Sequence, residues 1–239
     1  MKKKLIIFDK DGTLLDFDAY WIPVSSAALS ELVKIAKLDN TVIDEIFDAF
    51  SVKNGVTAIT SSLCHGTYDD MGHDIFAVLN RHGSTLTESE VKSLTRELYH
   101  KYISKGEIRP TSEKLSETLG RLKSDGYLLG VVTSDAPLVT EECLKALKIR
   151  DFFSFVISDD GKTPTKPSPV SIRNLMKKFS LSQSEILMVG DTLTDLNYAN
   201  AGGIEFLGLA KTRENADILV SNGANNITDD ISKILNLLD

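Results

Sequence analysis

Two hydrophobic rhythms divide the chain. Leu5 to Phe8 is a fully apolar run that stops at Asp9, the pattern of a short strand buried on both faces of a parallel sheet. From about Phe17 to Ile108 the apolar positions recur instead at helical spacing. Helices are predicted over 24–38, 41–53, 71–82 and 88–104, and "TESE" at 87–90 supplies a capping-box start for the last of them. No stretch there alternates as a strand would, so the region reads as a helical unit of about ninety residues, near the size of a small domain.

After Pro110, helices and apolar runs take turns. A helix over 112–125 leads to "YLLGVVTSD", one over 137–147 to "FFSFVISDD", and one over 169–179 to "EILMVGD". A helix around 194–201 precedes two last apolar runs, "IEFLGLA" and "DILV", and a C-terminal helix begins near Asp229. This alternation predicts βαβ units and a parallel sheet, an α/β core into which the helical unit is inserted after the first strand. The expected division is a core of residues 1–16 and 111–239 and an all-helical insert of 17–110.

Composition narrows the class. Hydrophobic residues are 42% and charged residues 26%, the balance of a soluble globular protein. The formal charge of −7 opposes binding to nucleic acid or an anionic membrane, so the positive charge for any anionic ligand has to be local. The two cysteines, Cys64 and Cys143, form neither a disulfide framework nor a zinc signature and are expected as reduced thiols in a cytoplasmic protein. The lysines at 2–4 precede an apolar run too short for a signal peptide, and no later run approaches a membrane span.

In an open parallel α/β sheet, ligands bind beyond the carboxyl ends of the strands. Those ends carry "DKDGT" (9–13), "TSD" (133–135), "SDD" (158–160) and "GDTLTD" (190–195). If the sheet is parallel, Asp9, Asp11, Asp191 and Asp195 converge. An oxygen cluster of that kind suits Mg²⁺, which relieves the repulsion between paired carboxylates. An EF-hand is excluded, because its sixth and twelfth positions counted from Asp9 hold Leu14 and Tyr20. Thr133 and Ser134 offer a hydroxyl and backbone donors ahead of a helix, and Lys166 in "TKPSP" sits between proline-constrained turns, so these three suit a phosphate.

These four segments, in this order, resemble the haloacid dehalogenase (HAD) superfamily of phosphohydrolases. Asp9 to Thr13 is similar to its DxDGT motif, and Thr133 to the Ser or Thr that closes the second. Lys166 is similar to the third, and "GDTLTD" with Asp191 and Asp195 to the fourth. The insert resembles a C1-type cap, and the size and motif texture resemble the phosphoglycolate phosphatase-like subfamily. The resemblance implies a Rossmann-like core with a helical cap and a Mg²⁺-dependent phosphatase acting on a small phosphorylated metabolite, phosphoglycolate first among them. It implies Asp9 as nucleophile and Asp11 as acid and base. Thr133, Ser134 and Lys166 would hold the phosphate, and the metal would sit on Asp9, the Asp11 carbonyl oxygen and Asp191. Asp195 would bond the metal through water or orient Lys166. The expected assembly is a monomer or homodimer without nucleic acid or membrane.

Two rivals use similar residues. A phosphomutase of the β-phosphoglucomutase type would need a second phosphate site, for which only Arg109 and the cap lysines offer a hint. A phosphoaspartate receiver module shares the acidic pocket, but its acceptor follows a middle strand and its chain is about half this length. Tyr20 and Trp21 either close over a substrate or pack the cap helices. The hydroxyl-rich stretch 54–70 is either a specificity loop or a linker. His65, His73, His82 and His100 show no metal-ligand spacing, and Lys53 reads as a solvated lysine.

Overall fold

A computed structural model describes residues 2–238. The chain opens on β1 (Leu5–Phe8), buried along its whole length. It divides into two compact units, one of the residues up to Phe17 and from Ile108 onward, the other of Asp18–Glu107.

The second unit is built on α1 (Phe17–Ile35), α2 (Val42–Ala49), a hairpin of β2 (Val52–Lys53) and β3 (Val56–Thr57), α3 (Ser62–His65), α4 (Tyr68–Arg81) and α5 (Glu88–Tyr102). The spacing predicted a first helix from residue 24, but α1 starts at Phe17 and carries Pro23 inside it. Proline lacks the N–H that would bond Ala19 four residues back. The Ala19 carbonyl is taken instead by the Glu107 N–H at 3.1 Å. The predicted helix 41–53 stops at Ala49, because Asn54 and Gly55 turn the chain with φ of 51° and 75° into an antiparallel pair. Asn-Gly with two positive φ values is the favoured two-residue hairpin turn, too short here to show alternation.

Asp18 ties this hairpin down, its Oδ1 accepting from the Thr57 N–H at 3.0 Å and hydroxyl at 2.7 Å. The stretch 54–70 is therefore mostly ordered structure, and α4 and α5 both start on capping boxes, Thr67 with Asp70 and Thr87 with Glu90. Tyr20 is buried against Gly106, where an added Cβ would come 2.5 Å from its ring, and meets Trp21 edge-on at 5.3 Å. Tyr20 thus packs inside the helical unit. Lys53 is exposed on β2. His73 and His82 pair with Glu88 and Glu45 on the surface, and His100 lies edge-on to Tyr68.

The first unit continues with α6 (Leu115–Ser124), β4 (Leu128–Val132), α7 (Pro137–Ala146), β5 (Phe155–Ile157), α8 (Val170–Phe179), β6 (Ile186–Gly190), α9 (Leu193–Gly202), β7 (Glu205–Leu209), α10 (Arg213–Ser221), β8 (Asn226–Thr228) and α11 (Ile234–Leu238). Six strands form one sheet in the order β5-β4-β1-β6-β7-β8, every neighbour parallel. "DILV", expected as an apolar run like the strands before it, lies in α10, whose first turn is capped by the Thr212 hydroxyl accepting from the Asn215 N–H at 3.2 Å. Four apolar residues do not distinguish strand from helix by periodicity. The last strand is the three-residue "NIT" of β8 instead. Among the described residues, no helix is long and apolar enough to cross a membrane.

The core of this unit packs Ile6 and Phe8 with Leu119, Leu122, Val131, Val189 and Leu207. Each such side chain contributes about 1.5–3 kcal/mol on burial, which holds the strands on a rigid frame. Phe8 lies opposite both Val131 and Val189 in register. The residues that follow β1, β4 and β6 therefore emerge side by side at one edge of the sheet.

Candidate active site

Asp9 is the first residue beyond β1, and its N–H donates to Val189 O at 2.9 Å, so the backbone still follows the sheet there. Its side chain is buried and ion-paired with Lys166. Lys166 comes from the loop between β5 and α8, whose residues 160–164 are all exposed, yet Lys166 itself is buried. Its ammonium also donates to Asp195 Oδ1 at 2.6 Å. Asp195 is fully buried in the first turn of α9, where its Oδ2 accepts from the Thr192 N–H at 3.1 Å and hydroxyl at 2.7 Å. One carboxylate thus caps a helix and holds the lysine. Gly190 is required beside it, because an added Cβ would lie 2.4 Å from the Asp195 Cβ.

Asp191 follows β6 and completes the cluster. Carboxylate oxygens of Asp9, Asp191 and Asp195 all lie within 4.8 Å of one another. Thr13 fixes Asp191 by donating to its Oδ1 at 2.9 Å, and the Thr111 hydroxyl holds the Thr13 carbonyl at 2.7 Å. Gly12 takes φ of +77°, and an added Cβ would stand 2.0 Å from Asp191 Oδ2. No other residue fits that approach.

Three carboxylates face one ammonium. Burial pushes the Asp9 carboxyl up to about 7, against the pull of Lys166 and with a further push from Asp195. Burial, with Asp9 and Asp195 beside it, also raises Asp191 well above the usual carboxylate range. Burial works against the charge of Lys166, but Asp195 and Asp9 outweigh it and hold the ammonium above its ordinary value. A cluster of oxygen donors with more negative charge than its lysine offsets fits a hard divalent cation such as Mg²⁺. Asp9 and Asp191 are the members available to hold it, since both oxygens of Asp195 are engaged with Lys166 and Thr192.

Thr133 lies one residue past β4, buried, with its N–H donating to Ile157 O at 2.9 Å. Ser134 is exposed in the turn before α7. Asp11 stands apart from the three clustered carboxylates, its Oδ1 bonded to Lys10 Nζ at 2.5 Å. Lys10 is completely buried and reaches Asp135 Oδ2 at 2.9 Å as well. Reading Lys10 as the variable position of the motif missed this pair, although a lysine only two residues past a buried strand is a local hint of burial. "SDD" contributes no carboxylate to the cluster, and Asp160 accepts from the N–H groups of Lys162 and Thr163 as plain turn chemistry. Both cysteines are free, and burial pushes the Cys143 thiol up to about 11.

A sequence profile of the haloacid dehalogenase-like hydrolases matches residues 6–209, from β1 through β7. The chain belongs to that family. Among the relatives of this HAD hydrolase is the phosphoglycolate phosphatase of Vibrio parahaemolyticus, 27% identical over 98% of this chain and 96% of its own. The glyceraldehyde 3-phosphate phosphatase of Pyrococcus furiosus is 26% identical over 86% of this chain and 78% of its own. A crystal structure described as a predicted phosphoglycolate phosphatase from Haemophilus somnus superposes with a TM-score of 0.74 at 27% identity, covering 100% of this chain and 99% of that one. With relatives of that kind over nearly its whole length, the chain is an enzyme, a hydrolase of the phosphatase type.

Proposed function

We propose that this HAD hydrolase is a Mg²⁺-dependent phosphatase that cleaves a small phosphate monoester, phosphoglycolate first, through an aspartyl phosphate on Asp9. The observation that carries the reading is the buried Asp9–Lys166–Asp195 chain beside Asp191. A carboxylate held in place by an ammonium, with a second acidic oxygen beside it, is suited to attack phosphorus rather than to bind a passing cation alone.

In this account Asp9 forms a bond to phosphorus as the bond to the leaving oxygen breaks, roughly in line. Asp11 gives a proton to that oxygen, then takes one from the water that cleaves the aspartyl phosphate. Lys166 and the Thr133 hydroxyl, with the Ser134 N–H, bind the phosphoryl oxygens and offset their charge. Asp9, the Asp11 carbonyl oxygen and Asp191 would hold Mg²⁺, which when bound neutralises charge on the phosphoryl group and the nucleophile. Asp195 orients Lys166. We assign residues 17–110 the role of a cap that selects the leaving group, and we place the enzyme in the cytoplasm. Relatives named for two different phosphometabolites support the phosphatase reading more firmly than any one substrate.

The test is turnover of p-nitrophenyl phosphate and a panel of phosphometabolites, with Mg²⁺ and with chelator, for the wild type and Asp9→Asn. Metal-dependent hydrolysis that disappears in the variant is expected, with phosphoglycolate at the head of the panel. Full activity in Asp9→Asn would end the proposal. Interconversion of sugar phosphates in place of phosphate release would mark a mutase.

A further inference from the structure

We infer that Lys10 is a positioning residue, holding the Asp11 carboxyl group where it can serve the leaving oxygen; the inference rests on the phosphatase reading above. Lys10 has no exposure at all, and a buried ammonium is costly unless carboxylates surround it. It pairs with two, Asp11 Oδ1 at 2.5 Å and Asp135 Oδ2 at 2.9 Å. Asp135 belongs to the turn after β4, and its own backbone is pinned on both sides. Its N–H donates to the Thr133 hydroxyl at 3.2 Å, and its carbonyl accepts from the Asp159 N–H at 2.8 Å.

Asp11 is thereby referenced to the turn that carries Thr133 and Ser134. The Asp11 side chain is 17% exposed, and its Oδ1 is held by a fully buried cation. A carboxyl group on a glycine-flanked loop otherwise has several rotamers to choose from. The three groups Asp11, Lys10 and Asp135 form a line from the first loop to the second, separate from the Asp9–Lys166–Asp195 chain.

Lys10→Met removes the ammonium while keeping most of the side-chain volume. Phosphoryl transfer from an aryl phosphate needs little help from an acid, because a phenolate leaves readily, whereas an alkyl phosphate needs the proton. The kcat/KM for phosphoglycolate or glycerol 2-phosphate is expected to fall about 100-fold, the scale of a lost general acid, and that for p-nitrophenyl phosphate less than about 3-fold. A role confined to stability would lower both alike, and equal losses, or none, overturn the inference. If Lys10→Met does not fold, Asp135→Asn is read the same way. It leaves Lys10 with Asp11, and a smaller loss again confined to alkyl phosphates is expected. Equal or absent effects there overturn the inference too, as does a wild type that cleaves aryl but no alkyl phosphates. A wild type that cleaves no phosphate ester removes the phosphatase reading itself.

Discussion

Lys166→Met exposes how much the acidic cluster depends on one cation. The ammonium stands 2.6 Å from Asp195 Oδ1 and is also paired with Asp9, all three side chains being buried. At that distance and an effective dielectric of about 20, one pair is worth about 6 kcal/mol of gross attraction. Desolvation offsets much of that, and removing one partner of a buried pair costs about 3–5 kcal/mol net. For a chain of this size that is a fall in Tm of about 6–20 °C.

The loss should depend on pH in a definite direction. The Asp9 carboxyl, raised from 3.8 to about 7, makes the folded state take up a proton, so stability falls as pH rises through that window. Lys166 is what pulls the Asp9 carboxyl down; without it the window extends further upward. Urea unfolding in chelator is therefore expected to show a larger deficit for Lys166→Met at about pH 8 than at about pH 6. A deficit under about 1 kcal/mol at both pH values would refute the reasoning, since it would equal an exposed ion pair. An equal deficit at both would refute the pH argument alone.

Two further outcomes follow from the same site. Gly12→Ala sets a Cβ 2.0 Å from Asp191 Oδ2 at φ of +77° and is expected to cost more than about 1 kcal/mol in a thermal melt and to abolish the Mg²⁺ response of the melt. Mg²⁺ added to chelator-treated wild type should raise Tm, more at about pH 8 than at about pH 6, because a proton on Asp9 competes below about 7. Asp191→Asn should remove most of that gain, and an unchanged gain would place the cation elsewhere.

The parallel sheet was legible because its strands are short, buried on both faces and end abruptly in polar residues. Once β1, β4 and β6 are parallel neighbours, register alone brings Asp9, Thr133 and Asp191 to one edge. Lys166 was legible as a lysine between prolines, though its burial and its two carboxylate partners are tertiary facts. What failed to show follows from length and from backbone compensation. β8 and the hairpin strands are too short for a period, and "DILV" is too short to separate strand from helix. The helix predicted from residue 24 began too late because the Glu107 N–H that takes the carbonyl released by Pro23 lies 84 residues beyond it in the chain. Lys10 shows the same limit, since its position reads as filler until Asp135 is beside it.

The most direct test of the central claim is to quench the Mg²⁺-loaded wild type during turnover and map the phosphoryl group by peptide mass. A single hydroxylamine-labile phosphoryl group on the peptide carrying Asp9, absent from Asp9→Asn, is the predicted result. Turnover with the label on another residue, or sustained turnover by Asp9→Asn, would contradict it.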